Sequence, residues 1–184
     1  LMVESQRRAY ADRAEHMGDR DFWKVPTRTL INDAYAKQRM QDYVPGVAGN
    51  SKNTVAGQVK ESEQTTHYSV IDKEGNMVAI TTTLNDSYGN KTVVAGAGFL
   101  LNNEMDDFSV KPGVPNMFGA IGGEANAIAP GKRMLSSMTP TLVTVNNKAY
   151  LTIGSPGGTT IPNQIYEGLI NMIDFKMSLK QSID

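Results

Sequence analysis

The sequence predicts an α+β fold in which antiparallel hairpins have flanking helices. Residues 1–17 have a helical composition, and a second helix, capped by Thr27 or Thr29, is expected to reach about residue 40. Two pairs of strand-forming runs follow, and each pair is joined by a short polar turn. A last helix is expected over 161–177. Helices before and after the hairpins are typical of a layered α+β protein.

The strands are expected where β-branched and aromatic residues are dense. They cover residues 68–71, 77–84, 98–101, 141–145 and 149–153. The runs 72–76 and 146–147 are the predicted hairpin turns, and 98–101 is expected to be short and buried. Residues 111–131 hold many Gly and Pro residues, and a connection of this length is typical of a lid or a binding loop.

The composition excludes several classes of function. The chain has 184 residues, a formal net charge of −1 and no cysteine, so a disulfide framework, a thiolate metal site and a cysteine nucleophile are excluded. The balanced charge and the lack of a basic run give no support for binding nucleic acid or a membrane surface. With two histidines, a multi-histidine metal site is not expected. No apolar run approaches the roughly 20 residues that span a bilayer, so no membrane segment is expected in this chain.

The segment from Asp42 to Gln64 is expected to be an exposed linker that a protease can reach. It is rich in Gly, Pro and Asn and has a charged run near its end. Cleavage between Gln64 and Thr65 would leave Thr65 with both a nucleophilic hydroxyl and a free α-amine. The amine can act as the general base for the hydroxyl, so no histidine or cysteine partner is needed. Both ends of the chain also look like cuts through a longer protein.

Five segments occur in an order that points to a known family. They are Thr65-Thr66-His67-Tyr68-Ser69-Val70, Thr83-Leu84-Asn85, Asn102 to Phe108, Pro130 to Pro140, and Gly154-Ser155-Pro156-Gly157-Gly158. The chain resembles the γ-glutamyltranspeptidases, N-terminal-nucleophile enzymes made as a precursor that cuts itself into a large and a small subunit. The resemblance implies part of an αββα sandwich. Residues 1–64 would be the tail of the large subunit with the processing linker, and 65–184 the first two-thirds of the small catalytic subunit.

The resemblance assigns the catalytic groups. It implies that the Thr65 hydroxyl first attacks the carbonyl of Gln64 in autocatalytic cleavage, and then attacks the γ-glutamyl amide of a substrate to form an acyl-enzyme. The matching role of Thr83 is a hydrogen bond to the nucleophile, a form of acid–base assistance. Gly157 and Gly158 correspond to the family's oxyanion hole, since glycines before a helix can direct N–H groups at a developing negative charge.

The resemblance also assigns the substrate contacts. Asn85, Glu104 and Asp107 correspond to the residues that bind the substrate's α-amino group, where acceptors and carboxylates suit an ammonium. Ser136 and Ser137 match the pair that binds its α-carboxylate. Without the family, these residues would read as turn and loop chemistry.

Residues 111–123 align with the family's lid loop. Phe118 stands where several bacterial relatives have a lid tyrosine; its ring can cover the pocket but has no hydroxyl to close it. His67 is expected to be structural. The family's carboxylate-binding arginine lies upstream of this chain, so the remainder of the large subunit is an expected partner and the isolated chain is expected to have little or no activity.

The implied reaction transfers the γ-glutamyl group of glutathione or a related amide to an amino acid, a peptide or water, without a metal or organic cofactor, in the periplasm or outside the cell. Two alternatives stay open. One is a related acylase for another acyl group, such as a cephalosporin or glutaryl acylase, or a poly-γ-glutamate depolymerase. The other is a non-catalytic association domain in which Thr65 is buried and never freed.

Overall fold

A computed structural model describes residues 1–50 and 65–183. The described residues form two compact units, one of 1–50 with 105–136 and the other of 65–104 with 137–183. Residues 51–64 of the predicted linker, and with them the predicted cleavage at Gln64–Thr65, lie outside the described residues. The division into 1–64 and 65–184 concerns the subunits of a mature protein and stays a prediction.

The first unit begins with helix α1, Met2–His16, close to the expected range. The single second helix predicted to reach residue 40 is wrong, because two short helices take its place: α2, Thr27–Leu30, and α3, Asp33–Arg39. The break is at Asn32, whose side chain accepts hydrogen bonds from the backbone N–H groups of Ala34 and Tyr35. An asparagine that caps a helix in this way starts a new one rather than continuing the old one.

The chain between residues 105 and 136 folds back on α1. Its short 3₁₀ helix, Glu124–Asn126, is held by a hydrogen bond from the Gly123 N–H to the Ala14 carbonyl oxygen at 2.9 Å. Gly18 permits the approach, since a Cβ there would lie 2.0 Å from the Ala125 carbonyl oxygen. A side chain at position 18 would therefore separate this segment from the helix.

The second unit contains two antiparallel hairpins. Strand β1, Thr65–Ile71, pairs with β2, Met77–Thr83, and strand β3, Thr141–Val145, pairs with β4, Lys148–Ile153. Both predicted turns are confirmed. In the second turn, Asn146 and Asn147 have φ angles of 52° and 59°, the left-handed pair that a two-residue hairpin turn requires and that asparagine tolerates.

The second unit is layered. The Thr152 hydroxyl of β4 donates to the Val78 carbonyl oxygen of β2 at 3.2 Å, which joins the two hairpins. Helix α4, Ile161–Ile173, carries the buried side chains of Ile161 and Ile165. Its Gly168 faces Ile153 of β4, since a Cβ at 168 would be 3.4 Å from the Ile153 side chain. The α+β expectation, with antiparallel hairpins and a flanking helix, is confirmed.

Two other expectations are wrong. The predicted buried strand 98–101 is reduced to one isolated bridge between Val93 and Leu100, and Phe99 is 55% exposed. The last helix ends at Ile173, before the expected residue 177, and a separate helix α5 covers Leu179–Ile183. No helix in residues 1–50 or 65–183 combines the length and apolar character needed to cross a membrane.

Candidate active site

Thr65 and Thr83 lie directly opposite each other at the open end of the first hairpin. The two strands form seven residue pairs, counted from the 72–76 turn, and Thr65 and Thr83 are the seventh. The Thr65 hydroxyl donates a hydrogen bond to the Thr83 hydroxyl oxygen at 3.3 Å. Thr83 also accepts a hydrogen bond from the backbone N–H of Asn85 at 2.9 Å. The Thr83 oxygen is thus fixed from one side and directed at Thr65 from the other.

Asn85 lies in the sharp turn that follows β2. It is buried and has a φ of 74°, a left-handed conformation that asparagine adopts more readily than most residues. Its side-chain amide donates to the Asn103 carbonyl oxygen, and the Asn103 side chain accepts from the N–H of Asp86 at 2.9 Å. Asn103 therefore ties the Asn85 turn to the segment that begins at Glu104.

Glu104 starts the 3₁₀ helix Glu104–Asp107, and its N–H is bound by the Asn102 side chain. Burial raises the pKa of the Glu104 carboxyl above its ordinary value. Desolvation of this kind strengthens the attraction of the carboxylate for a cation that enters beside it. Asn85 and Glu104 are therefore held in one local network, as a joint role in binding an ammonium would need.

Gly157 and Gly158 occupy backbone conformations that other residues rarely adopt, with φ angles of 135° and 56°. Gly158 begins a 3₁₀ turn, Gly158–Thr160, that leads directly into α4 at Ile161. Among the described residues, neither glycine N–H donates a hydrogen bond to the backbone. The pair therefore presents amide groups near the positive end of a 13-residue helix, an arrangement suited to an anionic oxygen.

His67 connects the strand of Thr65 to the loop of the two glycines. Its ring nitrogens lie 2.8 Å from the Thr81 hydroxyl and 2.9 Å from the Ser69 hydroxyl. The ring lies against Gly154, where an added Cβ would be 2.1 Å from ring atoms. The ring therefore has a structural use, in holding Gly154 at close range.

The first unit contains Asp107, Phe118 and Ser136. The Asp107 carbonyl oxygen accepts a hydrogen bond from the side-chain amide of Asn126 at 2.7 Å, and the oxygen of the same side chain accepts from the N–H of Leu135 at 3.0 Å. Asn126 therefore joins the segment of Asp107 to that of Ser136.

Arg133 is held by Asp19 through three hydrogen bonds, from its backbone N–H, Nε and a terminal nitrogen, at 2.8, 3.0 and 2.7 Å. The Asp19 side chain is 1% exposed, and these bonds hold the pKa of its carboxyl well below the usual range. The second partner of Arg133, Asp21, is 75% exposed. The buried carboxylate thus anchors the loop that leads to Ser136.

Phe118 is buried within the first unit, at 7% exposure. Its backbone N–H is held by the Asn116 side chain, which also accepts from the N–H of Ala120. A bridge between Pro115 and Ile121 closes this small loop. The predicted lid segment thus has internal order of its own.

The predicted site residues fall into three local groups in the structure. Thr65 pairs with Thr83, Asn85 is linked to the start of Glu104 through Asn103, and Asp107 is linked to Ser136 through Asn126. The remaining predicted positions belong to none of these groups. They are Phe118 in the first unit, and Ser137, Gly157 and Gly158 in the second.

Sequence reasoning missed Asn103, Asn126 and Asp19. Asn103 stands beside a predicted site residue within one of the five segments, which was a usable signal. Asn126 and Asp19 carry no local signal of this kind. Within the described residues no cluster of three metal-ligating side chains is present.

Paired antiparallel hairpins with a helix packed on one side, and a threonine at the first position of the first strand, fit the class of N-terminal-nucleophile hydrolases. The model of the γ-glutamyltranspeptidase family matches residues 1–184. The chain belongs to the γ-glutamyltranspeptidase family.

Two curated relatives are both named glutathione hydrolase proenzyme. The protein from Pseudomonas aeruginosa is 49% identical over 183 residues, covering 100% of this chain and 32% of the relative. The protein from Escherichia coli is 48% identical over 184 residues, covering 99% of this chain and 32% of the relative. The chain therefore spans about a third of the length of these relatives. An acylase ACY 1 proenzyme from a Pseudomonas species is 34% identical over 189 residues, covering 100% of this chain and 31% of the relative.

Solved structures show the same relationship. A γ-glutamyltranspeptidase mutant from Helicobacter pylori matches with a TM-score of 0.63 and 54% identity, over 65% of this chain and 64% of that one. A cephalosporin acylase from Bacillus halodurans matches over 96% of this chain and 29% of that one, with a TM-score of 0.75 but 23% identity, which is a likeness of fold alone.

Proposed function

We propose that the protein containing this chain transfers the γ-glutamyl group of glutathione and related γ-glutamyl amides to an amino acid, a peptide or water. The observation that carries the proposal is the pairing of Thr65 with Thr83, hydroxyl to hydroxyl at 3.3 Å, at the first position of the strand. A threonine that becomes the first residue of a chain carries its own base, the α-amine, so no distant base is needed. Its hydroxyl still has to be positioned, and Thr83 can do this.

The proposed reaction has two steps, acylation of Thr65 and release of the acyl group. The Thr65 hydroxyl oxygen attacks the amide carbonyl of the donor, its proton passes to the free α-amine of Thr65, and that proton then goes to the departing amine as the C–N bond breaks. An acceptor amine or water then attacks the resulting ester and gives a proton to the α-amine. That proton passes to the Thr65 oxygen as the ester C–O bond breaks, which regenerates the hydroxyl. The N–H groups of Gly157 and Gly158 would stabilise the oxyanion in both steps.

The proposed recognition of the donor uses both charged groups on its α-carbon, the ammonium and the carboxylate. Asn85, Glu104 and Asp107 would bind the α-ammonium, and Ser136 and Ser137 the α-carboxylate. Carboxylates form charge-assisted hydrogen bonds to the α-ammonium of a γ-glutamyl group. A glutaryl group has no ammonium and cannot form these bonds. The carboxylates retained in this chain therefore favour γ-glutamyl amides over glutaryl amides. An acylase is the second candidate, because acylase relatives reach 34% identity.

We further propose that this chain spans the junction of a precursor, with 1–64 ending the large subunit and 65–184 beginning the small one. The remainder of the large subunit would be its partner and would supply an arginine for the substrate carboxylate. We propose the periplasm or the cell exterior as the location of the protein, as the family resemblance implies. Fractionation of cells that express the full-length protein would test this location.

Mass spectrometry of the purified full-length protein tests the proposed function. We expect two fragments, the smaller one beginning at Thr65, and release of 4-nitroaniline from γ-glutamyl-4-nitroanilide at a much higher rate than from glutaryl-4-nitroanilide. The Thr65→Ala variant should stay in one piece and be inactive. A wild-type protein that stays uncut would refute the proposal, and a preference for the glutaryl amide would favour the acylase.

A further inference from the structure

On the basis of the proposed function, we infer that Asn126 is a positioning residue that fixes the spacing between the two groups that bind the donor's α-carbon. One is Asp107, proposed for the α-ammonium, and the other is Ser136, proposed for the α-carboxylate. Asn126 lies in the first unit with both of them. It acts through the backbone on either side.

Both polar atoms of the Asn126 side chain and both of its backbone groups form hydrogen bonds within this segment. Its side-chain nitrogen donates to the Asp107 carbonyl oxygen at 2.7 Å, and its side-chain oxygen accepts from the Leu135 N–H at 3.0 Å. Its own carbonyl oxygen accepts from the Ser109 N–H at 2.9 Å, and its N–H donates to the Gly123 carbonyl oxygen. One side chain therefore fixes two backbone segments 28 positions apart, counted from 107 to 135.

The surroundings keep Asn126 from moving. The residue is 5% exposed. The Lys132 ammonium donates to the carbonyl oxygens on either side, at 3.0 Å to Ala125 and 2.8 Å to Ala127. Ala125 itself is fully buried against Gly18. The bridge between 107 and 135 thus lies in a buried segment that further hydrogen bonds hold in place.

A fixed bridge matters because Asp107 and Ser136 are proposed to bind two substituents of the same carbon atom. The ammonium and carboxylate of an α-amino acid are held at a constant separation, so both contacts form together only if the protein groups have a matching separation. A misplacement of about 1 Å can cost on the order of 100-fold in kcat/KM. Here the loss is expected in KM, because the displaced groups bind the substituents of the α-carbon and not the reacting amide. Carboxylates and hydroxyls on separately moving segments would bind one group or the other, but not both.

Asn126→Asp is the sharpest perturbation. The variant keeps the size of the side chain and the oxygen that accepts from Leu135, but it replaces the N–H donor with an oxygen directed at the Asp107 carbonyl oxygen. An unpaired, repelling oxygen at 2.7 Å must move away and take the 107 segment with it. Asn126→Ser is a second variant, whose shorter side chain gives up both contacts but places no repelling oxygen against the Asp107 carbonyl oxygen.

The test uses the full-length protein, cleaved and purified, with γ-glutamyl-4-nitroanilide as the donor. We expect Asn126→Asp to raise KM by at least about tenfold while kcat stays within about threefold, and Asn126→Ser to give a smaller rise in KM. Asn32→Asp is the matched control, because Asn32 is an exposed helix cap whose accepting oxygen is kept. It should leave both constants unchanged.

Competitive inhibition by free acids separates positioning from a general loss of structure. Glutamate, which has both α-carbon groups, should bind the Asn126→Asp variant at least about fivefold more weakly, whereas glutarate, which lacks the ammonium, should change by less than about twofold. Equal losses for the two acids, or a KM within about twofold of wild type, would overturn the inference. If glutarate inhibits neither protein, the KM and kcat values decide. A wild-type protein without activity on the anilide would instead refute the proposed function.

Discussion

Gly154 is the position where one added methyl group tests the packing of the candidate site most directly. Its φ lies outside the left-handed region, so the backbone itself does not require glycine there. A Cβ would, however, be 2.1 Å from two atoms of the His67 ring and 2.5 Å from a third. Real Cβ contacts are not that short, so Gly154→Ala must displace the ring.

The cost of that displacement follows from what holds the ring. Both ring nitrogens of His67 are hydrogen-bonded, to Thr81 at 2.8 Å and to Ser69 at 2.9 Å. Losing two hydrogen bonds at about 0.5–1.5 kcal/mol each, with about 1–3 kcal/mol for overpacking, gives a destabilisation of about 2–6 kcal/mol. Because a shift of Gly154 also moves the segment that leads to Gly157, kcat should fall together with stability.

The measurement is the thermal unfolding midpoint of the full-length protein, with kcat measured beside it. The full-length relatives are about three times as long as this chain, so a loss of about 2–6 kcal/mol in Gly154→Ala should lower Tm by about 2–5 °C. Gly168→Ala is the matched control. A Cβ there meets Ile153 at an ordinary 3.4 Å, and in a helix the change from glycine stabilises by about 0.5–1 kcal/mol. His67→Ala removes the overpacking but not the loss of the two hydrogen bonds, so the double variant should recover about half of the Tm lost in Gly154→Ala. A double variant no more stable than Gly154→Ala, or an unchanged Tm for Gly154→Ala, would refute this account of the packing.

Two further predictions concern Thr83 and Asp19. Thr83→Ala removes the hydroxyl beside Thr65 and should lower kcat for γ-glutamyl-4-nitroanilide by about 10²–10⁴-fold. Thr83→Ser keeps a hydroxyl, so its kcat should stay within about tenfold of wild type. Equal kcat values for the two variants would contradict the role of Thr83. The hydrogen bonds from Arg133 hold the pKa of Asp19 below its ordinary value, so this carboxylate stabilises the fold above about pH 4 and the contribution is lost as the pH falls further. Asp19→Asn should therefore lower Tm at pH 7 and make the fall of Tm between pH 5 and pH 3 less steep. Asp21 is exposed, so Asp21→Asn should change Tm at pH 7 and its pH dependence only slightly. Similar curves of Tm against pH for the two variants would argue against Asp19 as the anchor of Arg133.

The hairpins were predictable because their signals are local. Asn146 and Asn147 tolerate the left-handed angles of a tight turn, and alternating strand residues on either side set the register. The strand expected at 98–101 has the right residue types, but most of it lacks a ladder partner and Phe99 stays exposed. Strand propensity without a partner is not enough to form a strand. The helix break at Asn32 shows the same limit, because a capping side chain outweighed the apolar pattern around it.

The candidate site was predictable only as far as its motifs extend. Motif residues such as Thr65 and Thr83 are recognised by their neighbours in sequence, and the hairpin register then brings them together. The residues that hold the motifs in place are different, because their partners are remote. Asp19 and Arg133 are separated by 114 positions, and Asn126 joins two segments through their backbones. No local pattern identifies such a residue, since an asparagine or aspartate in a Gly-rich stretch is ordinary turn chemistry.

The first hairpin turns a polar face toward the second hairpin and exposes an apolar face, the reverse of the usual arrangement. The face that contacts the second hairpin is polar, with Thr65, His67 and Ser69 on β1, and Ser69 in contact with Thr152. The opposite face is apolar and exposed: Tyr68, Val70, Val78 and Ile80 are 44–57% exposed. A hairpin of this composition would ordinarily bury the apolar face and expose the polar one. The arrangement makes sense if the rest of the full-length protein covers the apolar face, because its burial then supplies the stability that lets hydroxyl groups occupy the interior. Stability and chemistry would thus be assigned to opposite faces of one hairpin.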